Sequence, residues 1–175
     1  ERGVIEYAAS GTSPYDQVRL RPLGVEQFPP APPEIRRADP ECRYFDRYGH
    51  HVCMAFEDFF ARFGGERFFG QPMTGVEEEK GQRVQIFENA KFVWVTDRGE
   101  PHVELAPLGL SACDRSPTTC PDEPEQSLAA PSPHLTPDAA GDIGRQLDLF
   151  VEQHGGTEVL GEKVGSLVHA GDHVY

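Results

Sequence analysis

Apolar residues recur along this chain in two registers. Between His51 and Phe63, the residues Val52, Ala55, Phe56, Phe59, Phe60 and Phe63 fall three and four apart, the spacing of one helix face. Gly64-Gly65 ends that helix, with one glycine suited to a left-handed cap. A turn at 66–69 leads to Gly70-Gln71-Pro72, and there the period changes to two. Gly75–Glu79, Arg83–Phe87 and Lys91–Val95 alternate as strands, divided by turns at Lys80-Gly81 and Glu88-Asn89-Ala90. Arg98-Gly99 makes another turn before a last strand at His102–Leu105. Upstream, Val4–Tyr7 and Val18–Leu20 are candidate short strands, and Phe28–Pro33 (FPPAPP) is extended because proline fixes its own φ and restricts its predecessor. Downstream, Thr136-Pro137-Asp138 opens a helix with a capping hydroxyl and a proline at the first position. Ile143, Leu147, Phe150 and Val151 form its apolar face, and Gly155-Gly156 ends it.

The helix-glycine phrase occurs twice, at an offset of 91 residues. Phe56 answers to Leu147, Phe59 to Phe150, Gly64-Gly65 to Gly155-Gly156, Phe69 to Leu160 and Gly70 to Gly161. With one gap, Gly81 answers to Gly171 and Val84 to Val174. The shared positions are glycine or apolar, whereas Arg62 meets Gln153 and Gln71 meets Glu162, so the phrase specifies folding rather than chemistry. The expected class is α+β: two related units, each a helix plus a small antiparallel hairpin or meander, joined by extended proline-rich connections. The boundaries that follow are an extended N-terminal arm at 1–41, a first unit at 42–105, a proline-rich linker at 106–137 and a second unit at 138–175. That second unit stops where the first continues into VQIFENAKFVWV, so its hairpin either continues in a longer protein or borrows strands from the first unit or from another chain.

Composition narrows the partners. A formal charge of −13 over 175 residues repels phosphate backbones, which excludes nucleic acid as the expected partner. No apolar run reaches the length of a bilayer-spanning helix. Four cysteines permit three pairings, and proximity favours Cys42–Cys53 with Cys113–Cys120. Each such closure of a short loop is worth about 2–3 kcal/mol in the loop-entropy picture. An even cysteine count in a loop-rich acidic chain points to an oxidising compartment, extracellular or at the cell surface, and a start at Glu1 suits a mature or excised piece.

The run CRYFDRYGHHVCMAFEDFFARFGGERFFGQPMTGVEEEKGQRVQIFENAKFVW resembles a segment of secreted and surface proteins of environmental bacteria, with a "YF…TGH" opening, a helix, "GG…FG.P" and "G…VQ.FERA". It is also distantly similar to the LGFP repeat of bacterial cell-envelope proteins. The likeness covers 42–95 and, more weakly, 143–175, departing at Lys163, where the pattern has proline. It implies attachment to the wall or packing beside a catalytic domain.

Candidate chemistry is sparse. His50, His51, Cys42 and Cys53 are the nearest approach to a zinc set, but Cys42 is distant in sequence, and a disulfide beside a helix-capping histidine accounts for the same residues. His169 and His173 flank Gly171-Asp172, a hairpin turn. Glu77-Glu78-Glu79 lacks the ligand order of a calcium loop and reads as a solvated strand edge. No G-x-S-x-G is present, and the Gly-Gly pairs follow helices rather than precede them, unlike a phosphate-cradling loop. No cofactor or metal is expected. Phe92 and Trp94 alternate with Val93 and Val95, so if their face is open they make a stacking platform for sugar rings, the one candidate ligand site. The expected role is a non-catalytic extracytoplasmic binding or spacer module with a cell-wall glycan or a surface protein as partner. The alternatives are a small secreted hydrolase whose site assembles only in the fold, and a protein–protein interaction module.

Overall fold

The computed structural model describes residues 2–8, 17–96, 99–115, 137–163, 169–170 and 173–174. In chain order the elements are β1 Ile5–Ala8, β2 Val18–Leu20, α1 Leu23–Gln27, β3 Cys42–Phe45, β4 His50–Cys53, α2 Met54–Arg62 and α3 Gly65–Phe69. Then come β5 Glu77–Glu79, β6 Gln82–Ile86, β7 Lys91–Val95, β8 His102–Leu105, α4 Leu108–Arg115, α5 Pro137–Gln153, α6 Gly156–Leu160, β9 His169–Ala170 and β10 His173–Val174. Small antiparallel sheets and short helices make this an α+β fold.

Three local expectations change. The helix expected from His51 begins at Met54, because His50–Cys53 pairs as a strand with Cys42–Phe45 and Cys42–Cys53 closes that ladder as a disulfide. Residues 108–115 of the expected linker are helical. Within the expected arm the two candidate strands are present as β1 and β2, α1 adds a short helix, and the longest described stretch with neither helix nor strand is 28–41. The glycine pairs also do more than stop helices: Gly64 and Gly155 are the N-caps of α3 and α6, so each pair lies between two helices.

Both glycine runs adopt one backbone conformation. Gly64, Gly65 and Gly70 have φ of +116°, +58° and +74°, and Gly155, Gly156 and Gly161 have +94°, +62° and +78°. These left-handed values are costly for residues with a Cβ, which is why glycine recurs there. Across β5–β6, Glu79 pairs with Gln82; across β9–β10, Ala170 pairs with His173. The offset of 91 therefore runs on without the gap needed to align Gly81 with Gly171.

Past β10 the corresponding strands come from the other end of the sequence. The sheet orders are β5-β6-β7-β8 and, read the same way, β9-β10-β1-β2. Hydrogen bonds match as well. Asn89 N–H donates to Phe69 O (3.0 Å) as Arg2 N–H does to Leu160 O (3.1 Å). Ala106 N–H donates to Lys91 O (2.8 Å) as Arg21 N–H does to Val4 O (2.8 Å). These pairs bring out a sequence match at an offset of 85: Val18-Arg19-Leu20-Arg21-Pro22-Leu23-Gly24-Val25 against Val103-Glu104-Leu105-Ala106-Pro107-Leu108-Gly109-Leu110. Each stretch is a strand, then a proline, then a short helix.

One aromatic-rich core spans both halves of the chain. Phe60 lies edge-on to Phe45 (5.4 Å) and stacked on Phe87 (5.4 Å), while Phe69 meets Phe92 edge-on at 4.7 Å. Val159 and Leu160 of α6 and Leu20 of β2 belong to the same cluster. Two equivalent corners interlock reciprocally. A Cβ on Gly64 would fall 2.9 Å from the His154 ring, and one on Gly155 would fall 2.8 Å from the Phe63 ring. His154 in turn stacks on Phe68 at 4.1 Å. A second cluster, Val4, Leu23 and Leu108 with Phe28, binds α1 to α4.

Two predictions follow from close approach and chain closure. A Cβ on Gly24 would lie 1.8 Å from the Phe87 carbonyl oxygen, a backbone atom with no rotamer to yield. Gly24→Ala should cost about 2–5 kcal/mol, Gly64→Ala about 1–3 kcal/mol, and Gly99→Ala, with nothing within 4 Å, close to nothing; thermal or denaturant unfolding ranks the three. Separately, eight residues separate Arg83 from Phe92, but joining the termini would leave only five between the equivalents Val174 and Ile5. A circular permutant with three added residues between Tyr175 and Glu1, opened within 116–136, should unfold cooperatively at or above the parent Tm. An unfolded permutant would contradict the strand equivalence.

Candidate functional site

Ionisable groups converge where the extended segment 28–37 crosses β4. Ala31 N–H donates to Met73 O (2.9 Å) and Glu34 N–H to Gly49 O (2.8 Å), which lays the segment along the first unit. Two glycines make its seat. A Cβ on Gly49, at φ +76°, would strike Pro33 Cβ at 2.5 Å, and one on Gly75 would strike Glu34 Oε1 at 2.2 Å. Alternation along β4 then sends His50 inward, at 1% exposure, and leaves His51 at the surface beside Glu34.

Glu34 Oε2 accepts from His51 N–H at 3.0 Å and lies 3.0 Å from His51 Nδ1. His51 Nε2 meets the backbone N and O of Arg37, each at 3.3 Å. His50 Nε2 donates to Ala31 O (3.3 Å), while its buried Nδ1 faces Glu34 Oε2 at 3.9 Å with no hydrogen-bond partner. Burial pushes the Glu34 carboxyl upward, but hydrogen bonds from His51 and the charges of both imidazoles outweigh it and hold the group below its ordinary 4.5. A carboxylate that orients an imidazole is the start of a proton-transfer dyad. Here the second ring nitrogen is held by the Arg37 backbone, so the arrangement acts as a clasp on the segment.

Around the clasp, Arg36 lies 5.0 Å over the Tyr44 ring, and Tyr44 contacts His51 at 4.8 Å. At the far end of the same hairpin, Arg47 lies 5.4 Å over Tyr48 and bonds Glu88 at 2.6 Å. The Tyr48 hydroxyl donates to Glu88 at 3.1 Å, and burial followed by the Glu88 charge raises its pKa. Gln71 N–H closes this group on Glu88 Oε2 (2.9 Å).

The remaining sequence candidates disperse. Phe92 is fully buried against Phe59, Phe69 and Phe87, and Trp94 is half-buried against the same core. Phe92 is therefore no part of an open platform, because Phe56 and Phe59 of α2 lie against its ring, while Trp94 keeps part of its surface exposed. The zinc alternative falls because Cys42 and Cys53 are bonded to each other; among the described residues no group of three or more His, Cys, Asp or Glu is placed to hold a metal ion. His51 is not a helix cap, since Cys53 occupies that position. Cys113 lies within α4, but its side chain and Cys120 fall outside the described residues, as do the side chains of His169 and His173.

Glu77–Glu79 is an exposed edge strand, as its charge run suggested. The hydrogen bond from Lys91 holds the Glu79 carboxyl low, and Lys91, nearly buried, also sits 5.2 Å over the Phe28 ring. Burial raises Glu57, whose Oε2 has no partner and whose nearest cation, Arg43, is 4.0 Å away. Residues that sequence reading passed over, Glu34, Tyr44, Tyr48 and Glu88, carry most of this surface. The proline run FPPAPP next to the Tyr-rich hairpin was the signal available for them.

Compared with known protein families, with characterised proteins and with solved structures, the chain matches none. Among the described residues no helix is long and apolar enough to cross a membrane.

The clasp has a pH signature with a fixed sign. A carboxyl held below 4.5 in the folded state contributes stability that is present above that value and lost as pH falls through the folded pKa. Wild type should therefore exceed Glu34→Gln in denaturation midpoint at neutral pH, and the gap should close progressively below 4.5. A gap of unchanged size at strongly acid pH would show that the carboxylate is not its source.

Proposed function

We propose that this protein is a non-catalytic extracytoplasmic module that binds or spaces at the bacterial cell wall, built from two copies of one unit related to the LGFP-type repeat. The observation that carries this reading is where its displaced ionisable groups go. Glu34 clasps the proline segment, Tyr48 braces Glu88 against the β3–β4 turn, and Glu79 neutralises the nearly buried Lys91. These three of the four displaced groups are committed to contacts within the scaffold, the use expected of a rigid binding frame, while the fourth, Glu57, is raised by burial with Arg43 4.0 Å away. A hydrolase would aim such groups at one reacting centre. The Cys42–Cys53 disulfide supports the oxidising compartment that a wall role requires.

The contact surface best suited to a glycan is the β3–β4 hairpin. Tyr44 and Tyr48 keep half-buried rings there, each with an arginine over it and polar groups alongside. Aromatic faces with neighbouring hydrogen-bond donors are what sugar rings stack on. A protein–protein role draws support from the same hairpin and from Ile35, which is 78% exposed beside it.

Sedimentation with insoluble cell wall and with common polysaccharides tests the proposal. The wild type should co-sediment, and replacing Tyr44 and Tyr48 with alanine should reduce retention about tenfold or more, as loss of two stacking contacts of ~1 kcal/mol each implies. Trp94→Ala should bind like wild type. Failure of the folded wild type to sediment with any of these materials would sink the wall reading.

A further inference from the structure

We propose that the arm carrying β1, β2 and α1 is exchangeable, so that two copies of this chain each complete the second unit of the other. The second unit contributes α5, α6, β9 and β10, and among the described residues its sheet continues through β1 and β2. In the first unit the equivalent junction, β6 to β7, is a covalent hairpin with three paired positions, Val84 with Val93, Gln85 with Phe92 and Ile86 with Lys91. Between β10 and β1 the ladder pairs, among the described residues, Tyr7 with Val174 and Ala8 with His173, and no hairpin joins the two strands.

The seat recognises the arm near both of its ends. Arg2 N–H donates to Leu160 O (3.1 Å), and its guanidinium reaches Glu158 O (2.8 Å), Val159 O (3.3 Å) and the Glu104 carboxylate (2.8 Å). Leu23 and Val4 close an apolar cluster with Leu108, Gln27 Nε2 donates to Leu108 O (3.2 Å), and Val25 N–H donates to Glu88 O (3.1 Å). An arm from a second copy would make every one of these contacts, so exchange is nearly neutral in contact energy. The balance then rests on the hinge and on concentration.

The hinge favours exchange. Phe28 still meets the body through Lys91, 5.2 Å over its ring, and after Pro29-Pro30 backbone contacts resume at Ala31, whose N–H donates to Met73 O, and then at Glu34 in its clasp. Only Phe28, Pro29 and Pro30 separate α1 from that anchor, and two of the three are prolines with fixed φ. Short, stiff hinges resist folding back on their own body and invite swapping. Intramolecular closure over a short linker corresponds to millimolar effective concentration, so exchanged dimers should accumulate as chain concentration approaches about 1 mM.

The full chain with its disulfide formed tests this. Wild type annealed at its denaturation midpoint should return a larger dimer fraction by native mass spectrometry when refolded near ~1 mM than near ~10 μM. Arm position is then read by cross-linking. A Cβ on Gly3 would lie 4.0 Å from Leu160 Cδ2, so cysteines at the two positions fall within reach of a short bismaleimide, which can bridge Gly3→Cys on one chain to Leu160→Cys on another only when an arm sits on a foreign body. Annealing these two variants together should give a covalent heterodimer, and a chain carrying both substitutions should cross-link within itself. Monomer at every concentration overturns the proposal. So does a dimer whose mixed variants stay uncross-linked while the double variant closes internally.

Discussion

β1 lies between β10 and β2, and much of the molecule rests on that placement. Its backbone groups satisfy the inner edge of β10, which would otherwise present unpaired donors and acceptors beside an apolar core. From β1 the chain turns into β2 and α1; Leu20 enters the main core, and Leu23 joins Val4 and Leu108 in the second. A single noncovalent ladder thus ties the first residues to the last and encloses both helical corners. Such long-range closure costs loop entropy before any contact repays it, so the arm is the segment least able to order alone.

The corners themselves depend on missing atoms. His154 lies against Gly64 and Phe63 against Gly155, and the two contacts occupy equivalent positions in the chain. Reciprocal contact of this kind is the geometry of an isologous interface, here formed within one polypeptide. Glycine serves twice at these positions, permitting a left-handed turn and leaving space for a ring. The aromatic residues then pack without competition from side chains of the turn, which explains how a chain of only 38% hydrophobic residues assembles a continuous core.

The clasp and the Glu88 group show how the polar residues are used. In a chain of net charge −13, carboxylates near the core need specific partners, and Glu34, Glu79 and Glu88 have histidine, lysine and arginine respectively. Burial raises the pKa of Glu57, and Arg43, 4.0 Å away, offsets that only in part. These contacts fix the proline segment and the β3–β4 hairpin relative to the core, leaving Tyr44 and Tyr48 on a rigid surface.

Local pattern alone determined β2, β7 and β8 with their limits, the caps at Gly64-Gly65 and Gly155-Gly156, and the disulfide Cys42–Cys53, because period, glycine conformation and sequence proximity are short-range properties. The match between Val18–Val25 and Val103–Leu110 was also present in the sequence, but it runs in reversed order relative to the helix-glycine phrase and is recognisable only once β1 is seen beside β10. Three matters were left to the tertiary structure. Whether His50–Cys53 began the helix or paired as a strand depended on β3 lying opposite; whether Phe92 was open depended on α2 covering it; and Glu34 met His51 only because Gly49 and Gly75 leave room for the proline segment. Sequence carries a residue's preference for its neighbours along the chain, while burial and partnership are set by what the rest of the chain places against it.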